Sequence, residues 1–123
     1  MNIRTAVFQQ INSIPELTGR VDFNMSPELE NTPRVVYSLS KRDEERTLEG
    51  ATGNHWAIFN INLYCKNRDD LFSISEKLRN KLLSCLGATI GGFYIQSVNL
   101  DMRDLFESMV NLHRAVFEFE IYY

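Results

Sequence analysis

Four side chains in this sequence could bind a soft metal or act as a nucleophile and its base: His55, His113, Cys65 and Cys85. A structural zinc site needs thiolates and imidazoles in pairs a few residues apart, and no two of these four have that spacing. A Cys–His nucleophile works only if the fold joins the two groups and the thiol ionises, which an apolar core opposes. Cys65 falls on the apolar side of an alternating run and Cys85 on the apolar stripe of a helical one, so both read as buried thiols. The segment Gly87-Ala88-Thr89-Ile90-Gly91-Gly92 has the composition of a phosphate-cradling loop. That chemistry needs the loop to leave a strand and open a helix, often with a Lys. Here it follows a helix, enters a strand and has no adjacent Lys, so it reads as a turn. No Gly-x-Ser-x-Gly elbow is present. The expectation is a protein that is not an enzyme, with no catalytic residue, no metal and no cofactor.

Two other groups could work by docking. Lys41, Arg42, Asp43, Glu44, Glu45, Arg46 and Glu49 form a charged run in which cations interleave with acids. Interleaving does not suit an acid/base pair or a calcium site. It suits a solvated tip, or a docking surface where charges set the register of a partner. Trp56, Tyr94, Tyr122 and Tyr123 lack interleaved Lys and Arg, so base stacking is not expected. Trp56, Ile58, Tyr64, Val116 and Tyr122 share the second face of predicted strands. That face is too apolar to be fully wet, and either a loop or a partner should cover it.

The elements that place these groups follow from periodicity. Ile3, Val7, Ile11 and Ile14 form one helical stripe; Asn2 is a suitable N-cap and Pro15 a stop. Short strands are predicted at 20–23 and 34–40, with a proline-bearing loop between them. Residues 41–54 then read as a long β-hairpin tip. From His55 to Cys65, Ala57, Phe59, Ile61, Leu63 and Cys65 alternate with Trp56, Ile58, Asn60, Asn62 and Tyr64, as in a half-buried strand. Asp69 and Asp70 open a second helix with Leu71, Ile74, Leu78, Leu82 and Cys85 inside and Gly87 as its stop. A strand is read from Phe93 to Met102, residues 103–111 fit either a loop or a short helix, and a last strand runs from Leu112. The order α-β-β-β-α-β-β predicts an α+β fold: a mostly antiparallel sheet with both helices on one face.

A length of 123 residues fits one domain, and a hydrophobic content of 44% supports one core. The formal net charge of −3 lacks the basic excess that phosphate binding requires. Two cysteines are too few for a disulfide framework, and no apolar run is long enough for a signal or a span. A soluble protein from a reducing compartment is expected, with no membrane contact.

Four pieces, in this order and spacing, resemble the tail terminator (tail completion) proteins of long-tailed bacteriophages and related prophages. They are the helix ending at Ile14-Pro15 before Gly19-Arg20-Val21, and the strand Pro33-Arg34-Val35-Val36-Tyr37. The third is Ala57-Ile58-Phe59-Asn60-Ile61-Asn62-Leu63-Tyr64 leading into an amphipathic helix. The closing run from Asn111 to Tyr123 is the fourth. The resemblance spans nearly the whole chain, read as a single domain over residues 1–123. It implies a homo-oligomer, a hexameric ring in the virion at the head–tail interface, assembled in the bacterial host cytoplasm. Such a ring caps the tail tube protein, ends tail polymerisation and offers a surface to the head-tail connector protein. Its implied interface candidates are the charged tip and the ends of the sheet. Six copies at −3 each carry −18, which suits a lumen that DNA crosses without specific binding. The alternatives are another ring-forming neck or tail component, such as a head-closure or tube protein, and a small ligand-binding α+β domain. The last would need a convergent polar pocket.

Overall fold

The computed structural model describes residues 2–24, 32–47, 50–107 and 111–123, with side chains described outside 41–54 and 107. Helix α1 (Ile3–Asn12) is capped by Asn2, whose Oδ1 accepts from the Thr5 N–H at 2.8 Å. That bond satisfies a donor the first turn cannot pair internally. The helix stops before Pro15, which opens a 3-10 turn (Pro15–Leu17) instead of ending the α-helix directly. Its ring presets the φ such a turn needs at its first position.

Strands β1 (Val21–Phe23), β2 (Arg34–Thr47) and β3 (Gly50–Cys65) follow. Helix α2 (Arg68–Leu83) comes next, then β4 (Thr89–Ile90), β5 (Phe93–Tyr94), β6 (Ser97–Glu107) and β7 (Leu112–Tyr122). The main sheet has five strands in the order β1-β2-β3-β7-β6, and β4 pairs with β5 in a separate hairpin. Every pairing is antiparallel except β1 with β2. The α+β class and the mostly antiparallel sheet are as the sequence implies.

The alternation in β3 becomes a core because β7 alternates in step with it. Phe59 faces Phe119, Ile61 faces Phe117 and Leu63 faces Ala115 across the ladder. All six are fully buried, and burying each large side chain contributes roughly 1.5–3 kcal/mol. Both helices cover this face. Leu71, Ile74, Leu78 and Leu82 of α2 and Ile3, Val7 and Ile11 of α1 belong to the same core. Asn67 caps α2 by accepting from the Asp70 N–H at 2.8 Å, and returns a 2.8 Å bond from its amide to the Asp70 carboxylate. Asp69 and Asp70 in the first turn and Lys81 in the last complement the helix dipole.

Three boundaries differ from expectation. Strand β2 continues past residue 40 to Thr47 and β3 begins at Gly50, so most of the expected tip is itself paired strand. Two register shifts, at Leu39/Lys41 and Glu44/Arg46, mark bulges along it. The single strand read from Phe93 to Met102 is broken at Ile95. That residue is fully buried, and its backbone bonds Gly87 and Ala88 at 2.9 Å each, closing the end of α2. Gly91 and Gly92, with φ of 53° and 87°, form the two-residue turn between β4 and β5, where both central residues need positive φ. Residues 103–107, read as loop or helix, are strand, because they complete the ladder along β7 down to Glu107↔Leu112.

Candidate interaction surface

The groups that could do chemistry are kept apart or held inert. His55 stacks on Tyr123 with ring centroids 5.5 Å apart, while His113 lies against Phe106 at 4.9 Å. These two sites are at opposite ends of the β3–β7 pairing, since His113 is the register partner of Cys65. The fold does bring one cysteine and one histidine opposite each other. Burial, reinforced by the nearby Asp70 carboxylate, pushes the Cys65 thiol up to about 12, so it stays protonated at neutral pH. Burial also raises Cys85, partly offset by Lys81. Both cysteines are free. Among the described residues, no group of three or more His, Cys, Asp or Glu could hold a metal ion, and no helix is long and apolar enough to cross a membrane.

The candidate docking residues fall into three places. Lys41, Arg42, Asp43, Glu44, Glu45 and Arg46 lie along the upper part of β2, and Glu49 lies outside the described residues. Trp56, Ile58 and Tyr122 share the outer face at one end of the β3–β7 pair, with Trp56 and Tyr122 stacked at 6.4 Å. Tyr64 is eight residues along β3, about 26 Å away at strand rise. There the Arg114 guanidinium sits 5.7 Å from its ring centre and donates to Asn62 Oδ1 at 3.0 and 2.8 Å. Between these ends, Asn60 donates to Ser40 Oγ at 3.0 Å. The expected apolar face is therefore two aromatic ends separated by a polar middle. Asn60, Asn62 and Glu118 share the centre of this face with Val116.

The structure adds a site that sequence reading missed. Phe72 is 69% exposed, Phe106 52%, Leu105 41% and Met102 40%. Phe72, Leu105 and Phe106 line a groove of about 430 Å³ with Arg68, Asp104 and His113, where the start of α2 meets β6. Phe72 falls off the buried stripe of α2, which was a usable signal. Leu105 and Phe106 gave none while their secondary structure was open. The hairpin end is the other unusual feature. Pairing of β3 with β7 reaches Trp56↔Tyr122, and backbone bonds of 2.7 and 2.8 Å join His55 to Tyr123. Beyond His55, Gly50 and Ala51 pair with Thr47 and Arg46 of β2, so a two-stranded ribbon extends past the five-stranded sheet.

These features define an α+β fold with a long edge strand and, beside it, a groove in which Phe72, Leu105 and Phe106 are exposed. No family profile and no curated protein matches the chain. Among solved structures, its fold is similar to a chain in the virion of a native gene transfer agent (GTA) particle. The likeness has a TM-score of 0.69 at 15% identity, over 98% of this chain and 92% of that one. At that identity the two share a fold.

Proposed function

We propose that this chain is a structural protein of a phage-like virion, which forms a ring on the end of the tail tube. The ring stops tube polymerisation and presents the surface to which the head connector joins. The observation that carries this reading is the likeness in fold, over nearly the whole of both chains, to a chain of a virion particle. The four sequence pieces that resemble tail terminators, in order and spacing, narrow it to the tail end. A ring copy number of six, contacts with tube and connector, and a lumen passed by DNA belong to this same proposal.

The test is tail length by negative-stain microscopy in a mutant lacking this gene. Overlong, headless tubes of variable length are the expected result. Tails of normal length detached from heads would favour a neck component instead, and normal infectious particles would overturn the structural reading.

A further inference from the structure

One edge of the main sheet, β6, is longer and more regular than most natural edges. Strand β6 forms one edge with 11 residues, where strands average about five or six. Its register with β7 runs from Ser97 to Glu107 without a shift. It contains no proline, and Met102, Leu105 and Phe106 are exposed on it. Edge strands are normally blunted by bulges, prolines, short length or cover, because an open row of N–H and C=O groups recruits other strands. Bulge, proline and short length are absent from β6 among the described residues, while charges, a further blunting device, are present at Asp101, Arg103 and Asp104. The opposite edge is formed by β1 and, past it, by β2, which shifts register between Leu39 and Lys41. Strand β1 pairs with β2 only at residues 35–37, so among the described residues the outer side of β2 is unpaired from Ser38 onward.

We propose that the open edge of β6 is completed by residues 38–42 of β2 from a second copy of this chain, so that successive copies share one antiparallel sheet. This deepens the ring reading above and rests on it only in requiring that copies associate. Three observations select the occupant. The first is polarity. Strands β6, β7, β3 and β2 are joined by three antiparallel pairings, so β6 and β2 of one copy point in opposite directions. Rotation about an axis along the strands preserves that relation and sets β2 of the next copy antiparallel to β6. The second is charge. Strand β6 carries Asp101, Asp104 and Glu107 against Arg103, while residues 38–42 carry Lys41 and Arg42 and no acid. The third is the match of faces. Leu39 pairs with Phe59 on the core-facing side of β2, the side on which Met102 and Phe106 pair with β7. A core-facing leucine would continue their apolar row, with main-chain bonds giving affinity and side-chain pockets giving register. Because the two edges differ, the contact is heterologous, and a rotation that closes makes a ring with no free edge.

Cysteine cross-linking tests this directly, since Cys65 and Cys85 are both buried. Ser38→Cys would be combined in turn with Asn99→Cys, Asp101→Cys or Arg103→Cys, all on the outer face of the sheet. Under mild oxidation, at least one pair should give a ladder of covalent multimers on a non-reducing gel, while each single variant stays monomeric. In the unmodified protein, raising concentration should slow hydrogen exchange about tenfold at amides of β6 and of residues 38–42, with β1 unchanged. Dimers from Asp101→Cys alone would mean that β6 pairs with β6, which overturns the proposal. A ring by light scattering with no ladder in any register overturns the edge pairing and leaves the ring reading standing. A monomer at millimolar concentration with no ladder also overturns it, and the tail-length experiment then judges the tail role separately.

Discussion

The two faces of the β3–β7 pair are built from the same alternating strands, yet their side chains meet different surroundings. On one face Phe59, Ile61, Phe117, Phe119 and Ile121 are wholly buried under the helices. On the other, Asn60 bonds Ser40 and Asn62 bonds Arg114, with Trp56 and Tyr122 at one end and Tyr64 at the other. The first face holds the fold together through area removed from water. The second spends its polar groups on local bonds and leaves aromatic rings at its ends, where they cost little in folding and remain available for contact. Function in a protein of this kind is then expected where alternation has produced a face, or an edge, that folding does not use.

The comparison predicts unequal costs. Phe117→Ala should have the largest effect, about 3–5 kcal/mol, a large share of the 5–15 kcal/mol typical of a domain. Urea denaturation should show a lower midpoint at an unchanged slope; a loss under 1 kcal/mol would mean the core face is not continuous. Arg114→Ala removes two bonds to Asn62 and the contact with Tyr64. It should cost about 1–2 kcal/mol by the same assay, because local bonds of this kind help hold the outer face. Trp56→Ala loses the stack on Tyr122 and should cost about 1 kcal/mol, with the circular dichroism spectrum kept and association of copies weakened. Global unfolding would instead place Trp56 in the core. Reversing the charge of Arg42 and Arg46 together should leave stability within about 0.5 kcal/mol and weaken attachment to isolated tail tubes in a pelleting assay. Unchanged attachment would remove the charged run from the interface.

The smallest effect concerns the Glu16–Lys77 ion pair, which ties the 3-10 turn to α2 at the surface. The bond from Lys77, more than any other influence, holds the Glu16 carboxyl below its ordinary value of 4.5. A carboxylate whose pKa is lower in the folded state stabilises the fold above its unfolded value, and that contribution is lost as pH falls through the folded value. Lys77→Met should therefore remove a small part of the pH dependence of stability below pH 4.5 and change nothing near neutrality beyond a surface-pair loss. Thermal melts of both proteins across that window would show it.

Much of the fold was legible because it is local. The stripe Ile3, Val7, Ile11, Ile14, the stripe Leu71, Ile74, Leu78, Leu82, Cys85, and the alternation from Ala57 to Cys65 all come out buried as read. Each depends on a period of 3.6 or 2 that one stretch of chain carries by itself. Asn2 as a cap and Gly91-Gly92 as a turn are legible for the same reason. The class of fold follows from these pieces, since apolar faces must be covered.

Only the tertiary structure decided which strands are neighbours, that β1 runs parallel to β2, and that Cys65 stands opposite His113. It also decided that residues 103–107 are strand: their apolar side chains carry no clear period, and the ladder offered by β7 settles their conformation. The same holds for the groove at Phe72, Leu105 and Phe106, assembled from residues more than thirty positions apart. Backbone pairing is set by long-range register, and a register has no signature in either strand alone. The long β6 edge and the groove beside it are products of that pairing.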